Sequence, residues 1–192
     1  MTAIPKHQYT LEDYIELEKT SEEKWEFFEG NVWNMAGASP KHEKLSVNVS
    51  SSLLNSIKKK KRNCSVFGSN LRVKVPVYEP YRYPDVTVIC GTPIYEDLYG
   101  LKVAVNPLLI VEVLSDSTES FDRGHKFIYY KSIPSFKEYL LISQTEILVT
   151  LYTKQDNFTW IRQDFNSLTD KVLLPFSECE ITLEDIYFDI EF

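Results

Sequence analysis

Hydrophobic positions follow two different spacings along the chain. Leu45, Val49, Leu53, Leu54 and Ile57 recur at helical intervals between Ser39 and Arg62. Ser39 precedes Pro40, a cap followed by a proline in the first turn. The segment closes on Lys58, Lys59, Lys60, Lys61 and Arg62, cations that suit a helix C-terminus. A shorter helix is predicted from Thr10 to about Lys19. Thr10 can cap it, Asp13 stands at the capping-box position, and Tyr9 and Tyr14 can form the hydrophobic staple. Residues 25–35 between them read as a β-hairpin turning at Glu29, Gly30 and Asn31.

The middle of the chain is strand-like. Residues 66–77 are predicted as one strand, and 83–90 as a second opened by Pro84. Residues 91–107, punctuated by Gly, Pro and Asn, read as a loop. Residues 108–115 are apolar on both faces, the mark of a central strand. Residues 117–133 predict a second long helix, closed before Pro134. A fourth strand follows over 138–143. Residues 145–154 and 157–165 form a hairpin through Gln155, Asp156 and Asn157. The tail reads as a short strand and a small helix capped at Thr182. This order predicts one α/β domain over residues 1–192, with a mixed central sheet flanked by helices and extra β-hairpins at both ends.

Composition narrows the class. Of 192 residues, 43% are apolar and 26% charged, with 12 Tyr and 11 Phe. That excludes a disordered chain, a collagen-like fibre and a bare coiled coil. No apolar run approaches the roughly 20 residues of a membrane helix, and the first residues lack the apolar stretch of a secretion signal. A soluble, cytoplasmic protein with no membrane partner is expected. Cys64, Cys90 and Cys179 are odd in number, far apart and without a CxxC pair, so they read as small buried hydrophobes and not as a disulfide framework or a zinc site. The net charge of −7 lies wholly in residues 164–192, where eight acids face Lys171 alone. An acidic total argues against indiscriminate nucleic-acid binding. The basic run at 58–62 is a local exception, either a phosphate contact or a solvated helix end.

Glu112 carries the most chemistry. Alternation puts Ile110, Glu112 and Leu114 on one face of its strand and Leu109, Val111 and Val113 on the other. A carboxylate in a central strand is costly unless it is paired or bound to a metal. Asp85 opens an apolar strand after Pro84, and adjacent antiparallel strands can bring Asp85 and Glu112 to the same sheet end. Two carboxylates and a few waters suit Mg²⁺ or Mn²⁺, and the backbone carbonyl of Val113 could add a ligand. Lys126, on the following helix, could orient a water or stabilise phosphate charge, or it could simply pair with Asp122 at i−4. His42 could face the site but reads first as a surface or cap residue. His7 and His125 have no constellation around them. Ser117 and Thr118 read as loop and cap residues.

The order helix, strand, strand with PD, strand with ExV, helix and strand resembles the PD-(D/E)XK nuclease superfamily. More closely, the chain is similar to the Uma-two family of restriction-endonuclease type over roughly residues 10–190. The matching stretches are Trp25 to Gly30, Ser39 to His42, Tyr83-Pro84-Asp85-Val86 and Val111-Glu112-Val113-Leu114-Ser115. Ser117, Thr118, Asp122, Lys126, Tyr130, Pro134 and Glu138-Tyr139 then follow. The resemblance implies a restriction-endonuclease-like fold and metal-dependent phosphodiester hydrolysis, with DNA as the expected nucleic-acid partner. It puts a magnesium or manganese ion on Asp85, Glu112 and the carbonyl of Val113. Leu114 stands where the superfamily has its lysine, so Lys126 would substitute from the adjoining helix. Glu26 and Glu29 fit the family's early hairpin as extra acids. Cutting both strands with one site per chain favours two-fold pairing into a homodimer. Two readings compete: a nucleic-acid- or protein-binding module without hydrolysis, motivated by Leu114, and a structural domain in which Glu112 only completes a buried ion pair.

Overall fold

Thr10 does cap the first helix. Its hydroxyl accepts from the Asp13 N–H at 3.1 Å, and the Asp13 carboxylate accepts from the Thr10 N–H at 2.9 Å. This capping box starts α1 (Leu11–Thr20). The hairpin of β1 (Trp25–Phe28) and β2 (Asn31–Asn34) follows, with Phe27 opposite Val32. Gly30 closes it at φ 75°, a conformation that favours glycine, and its would-be Cβ would meet Gln8 at 3.2 Å. The computed structural model describes residues 8–28, 30–34, 37–77, 79–115 and 118–192. Two compact units divide the chain, residues 1–37 and 38–192. The capped helix and hairpin make up the first.

The second unit opens on the helix predicted after Ser39. Ser39 accepts from the His42 N–H at 3.1 Å and Pro40 opens α2 (Pro40–Lys59). Leu45, Val49, Leu53 and Ile57 form its buried stripe, whereas Leu54 faces outward. β3 (Cys64–Gly68), β4 (Val73–Val75), β5 (Glu79–Arg82), β6 (Val86–Cys90), β7 (Tyr95–Leu98), β8 (Leu101–Ala104) and β9 (Leu109–Leu114) come next. A helical stretch then runs through α3 (Glu119–Phe121), a π-helical turn (Asp122–Lys126) and α4 (Phe127–Tyr130). The chain ends with β10 (Glu138–Ser143), β11 (Val149–Lys154), β12 (Trp160–Phe165), β13 (Lys171–Leu174), β14 (Cys179–Thr182) and α5 (Leu183–Ile186), which Thr182 caps.

A six-stranded mixed sheet in the order β12-β11-β10-β9-β6-β3 forms the centre. Only β9 and β10 run parallel within it. Its alternation divides the packing. Leu109, Val111 and Val113 face one side with the α2 stripe, Val172, Ile181 and Ile186. On the other, α4 sets Phe127 against Tyr139, Tyr152 and Trp160 at 4.5–5.3 Å. This is the mixed sheet between helices that the pattern predicts, with its β13–β14 hairpin near the end.

Three expectations need correction. Residues 66–77 are not one strand. The chain turns at 69–72, where Ser69 and Asn70 supply turn residues, and Val73–Val75 joins a separate four-stranded sheet in the order β5-β4-β8-β7. Residues 91–107 contain the β7–β8 hairpin of that sheet, with Leu98 opposite Leu101. Cys64 and Cys90 form a disulfide. Counting cysteines misses it because antiparallel pairing sets Cys64 directly opposite Cys90. In a reducing cytosol the pair would stand as two thiols on the same rung. Cys179 is the buried free thiol. Among the described residues no helix is long and apolar enough to cross a membrane.

Glu138, at the start of β10, is fully buried, and its carboxylate accepts from the Phe176 N–H at 2.7 Å. Burial raises its pKa, with the bonds from Phe176 and Ser177 opposing. A folded-state pKa above the unfolded one means stability is full at low pH. Stability falls as pH climbs from the ordinary glutamate value of about 4.3. Glu138→Gln keeps the acceptor oxygen and should flatten that decline. Thermal melts from pH 4 to pH 8 should show the variant gaining on wild type as pH rises, by about 2–4 °C per kcal/mol recovered. A parallel pair of curves would contradict this.

Candidate active site

Register brings the two predicted carboxylates together. β6 is antiparallel to β9, with Val86 opposite Val111 and Val88 opposite Leu109. One further step sets Asp85 opposite Glu112. The Asp85 carboxylate accepts from the Val113 N–H at 2.7 Å. In an extended strand the N–H and C=O of one residue leave by the same edge, so the Val113 carbonyl faces the Asp85 side while its side chain lies in the core.

Glu112 is 3% exposed, and its Oε1 accepts from the Tyr130 hydroxyl at 2.7 Å. Lys126 Nζ lies 3.3 Å from Glu112 Oε1 and 2.8 Å from Asp122 Oδ1. All three side chains are buried. The predicted i−4 partner Asp122 is therefore real, but the pair sits inside the protein and not on a solvated helix face. The π-helical turn spans both residues, and such turns are frequent at functional sites.

Glu112 and Asp122 thus flank one ammonium group, and Asp85 stands across the strand pair from Glu112. Burial pushes the Glu112 carboxyl up to about 8; Lys126 pulls it down, while Asp85 and Asp122 add repulsion. His42, in the first turn of α2, holds Nε2 3.2 Å from Asp85 Oδ2. Burial alone would lower the imidazole pKa, but the hydrogen bond and charge of Asp85, with Glu43 adding, leave it raised. The sequence favoured a surface or cap role for His42. The Ser39 cap fixes its turn, but only the fold shows which sheet end that turn meets.

Among the described residues, no three His, Cys, Asp or Glu side chains form a closed metal cage. The donors present are two acids at a sheet end and a carbonyl on the same edge. They fit Mg²⁺ or Mn²⁺, which keep several waters and take one or two carboxylates. Zinc in a structural site would demand four tight protein ligands instead.

The sequence profile of the Uma2 family, described as "Putative restriction endonuclease", matches residues 11–184. The chain belongs to this family. Two Synechocystis proteins resemble this Uma2 chain, both described as uncharacterised. One, slr1290, is 32% identical over 99% of this chain and 97% of its own length. The other, sll1609, is 39% identical over 79% of this chain and 84% of its own length. Among solved structures, a putative nuclease belonging to DUF820 from Anabaena variabilis superposes with a TM-score of 0.72, covering 93% of this chain and 97% of that one at 18% identity. The Uma2 chain therefore has the nuclease-like mixed α/β fold that its sequence predicts.

Glu26 is buried on β1 in the first unit, opposite Trp33, and stays a candidate on the family resemblance. Glu29, His7 and Ser117 lie outside the described residues. His125 stacks near Phe121 and Tyr129. Lys58 to Lys61 are exposed, and Arg62 pairs with Glu178 at 3.0 Å. Leu114 is buried, leaving Lys126 as the ammonium beside Glu112. Tyr130 is the site partner that the sequence left without a role.

Proposed function

We propose that this Uma2 chain is a divalent-metal-dependent nuclease that hydrolyses phosphodiester bonds in DNA. One observation carries the reading: Asp85 and Glu112 stand side by side at one sheet end, with Asp122 and Lys126 packed against Glu112. Ionising all three acids, as holding a cation would require, leaves more negative charge than Lys126 and His42 together offset, and a further cation is the natural complement. Asp85, Glu112 and the Val113 carbonyl would hold that ion.

What a divalent ion supplies at such a site is a nucleophile at neutral pH and neutralisation of charge on the scissile phosphate. The chain does the rest. Asp85 is oriented by the Val113 N–H and His42, and Glu112 by the Tyr130 hydroxyl. Lys126, anchored by Asp122, directs positive charge at the attacking water and the phosphate oxygens. The water oxygen bonds to phosphorus, the bond to the leaving sugar oxygen breaks, and that oxygen takes up a proton. Glu26 enters only as an accessory acid suggested by the family resemblance. Cleavage of both strands would call for two chains, each with one such site.

Thermal melting in EDTA, Mg²⁺ or Mn²⁺ tests the ion site without knowledge of the DNA sequence cut. Binding to the native state raises stability by mass action, about 2.7 kcal/mol at a hundredfold excess over Kd. Mn²⁺ should raise the melting temperature of wild type and leave Asp85→Ala unmoved. Equal shifts in the two proteins would remove Asp85 from the site. A metal-free ion pair as the sole role of Glu112 predicts no shift in either.

A further inference from the structure

A cleft of about 580 Å³ opens beside Asp85, between α2 and the turn that links β3 to β4. Its volume is in the ordinary range of ligand sites, roughly 300–1,000 Å³. Ser46 and Ser50 line it from α2, Phe67 from β3, and Asn70 and Leu71 from the turn. The Ser46 hydroxyl oxygen is buried with no hydrogen-bond partner among the described residues.

The charge of the cleft selects among the parts of a nucleic acid. Among the described residues that line it, none is Lys or Arg, and both Glu43 and Asp85 contribute carboxylates. Phosphates are repelled there, so the cleft does not track a backbone. The Ser50 hydroxyl from α2 and the Asn70 amide from the turn, with apolar surface from Phe67 and Leu71 beside them, suit a flat ring with polar edges. A base can enter such a cleft only when it is out of the duplex stack. We propose that the cleft takes an unpaired nucleobase adjacent to the scissile phosphate, so that the substrates are single-stranded or locally unpaired DNA. The proposal rests on the nuclease reading for its position, and its occupant is read by binding alone.

Fluorescence anisotropy in EDTA tests it on the full chain, with three labelled DNAs of the same sequence: a single strand, a blunt duplex and a duplex with one bulged nucleotide. Wild type should bind the single strand and the bulge about tenfold tighter than the duplex, the scale of one base contact. Ser50→Phe, which fills the cleft, should lose that preference and keep the Mn²⁺-induced rise in melting temperature. Asn70→Ala, on an exposed turn, should weaken single-strand binding several-fold and carries the test if Ser50→Phe does not fold. Equal binding of all three DNAs by wild type overturns the proposal. So does undiminished single-strand preference in folded Ser50→Phe or, failing that, in Asn70→Ala. If wild type keeps the preference but cuts none of the DNAs with Mn²⁺, the cleft stands and the nuclease reading falls.

Discussion

Glu112→Gln should abolish Mn²⁺-dependent DNA cleavage, by about a thousandfold or more, and leave the fold standing. The substitution keeps the shape and the Oε1 acceptor for the Tyr130 hydroxyl, and Lys126 keeps Asp122 at 2.8 Å. What disappears is the negative charge that an ion would require. Several kcal/mol of transition-state stabilisation depend on such an ion, and each 1.36 kcal/mol is tenfold in rate. Stability should move the other way. Burial pushes the Glu112 carboxyl up to about 8, so without a cation the folded protein holds it mostly protonated at pH 7. A raised folded-state pKa means stability is lost as pH rises from about 4.5 toward 8. The glutamine removes that loss. Melting in EDTA should therefore show Glu112→Gln as stable as wild type at pH 7 or more so, and without the Mn²⁺ response. A purely structural ion pair predicts the reverse: a destabilised variant and no dependence on metal in either protein. Cleavage retained in a clean Glu112→Gln preparation would overturn the nuclease assignment.

The parts of this site that could be read from sequence are those where a residue type conflicts with its surroundings. Glu112 interrupts a run that is otherwise apolar on both faces, and Pro84-Asp85 opens the neighbouring apolar strand, so both stand out before any fold is known. Their meeting needed only that β6 and β9 be adjacent and antiparallel. Spacing fails where it reports the phase of a helix and not its surroundings. Lys126 reads equally as a site lysine or as a surface partner of Asp122, because an i,i+4 interval looks the same buried or exposed, and nothing in DRGHK signals the π-helical turn. His42 has the same ambiguity: its cap is legible, and the sheet end it meets is a tertiary fact. The sheet errors have a different cause. Gly68, Ser69 and Asn70 carry turn chemistry inside an apolar alternation, and the alternation overrode them. In 91–107 the punctuation overrode a real hairpin. The cysteine pair depended on register between strands that lie 26 residues apart, which no local pattern encodes.

Lys126→Met should destabilise the cation-free protein and make it respond more strongly to metal. Methionine preserves the unbranched bulk, so the main change is electrostatic. Glu112 and Asp122, at 3% and 2% exposure, lose the ammonium group between them. Removing one partner of a buried ion pair costs about 3–5 kcal/mol. For a chain of this size that is a fall of about 10 °C in melting temperature. Protonation of Glu112 absorbs part of the loss, since its carboxyl is already pushed to about 8. Glu112 and Asp122 then have no ammonium competing for them, so Mn²⁺ should raise the melting temperature of Lys126→Met by more than it raises that of wild type. Cleavage separates the two roles of the lysine. If Lys126 only balances charge in the fold, saturating Mn²⁺ should restore both stability and rate. If it also acts on the attacking water and the phosphate, Mn²⁺ should restore stability while the rate stays about 10²–10⁴-fold down, the range for a positioned proton-transfer group. Full recovery of rate at saturating Mn²⁺ would reduce Lys126 to a structural counter-charge. The substitution of Lys126 for a lysine at the Leu114 position, which the family resemblance implies, would then fail.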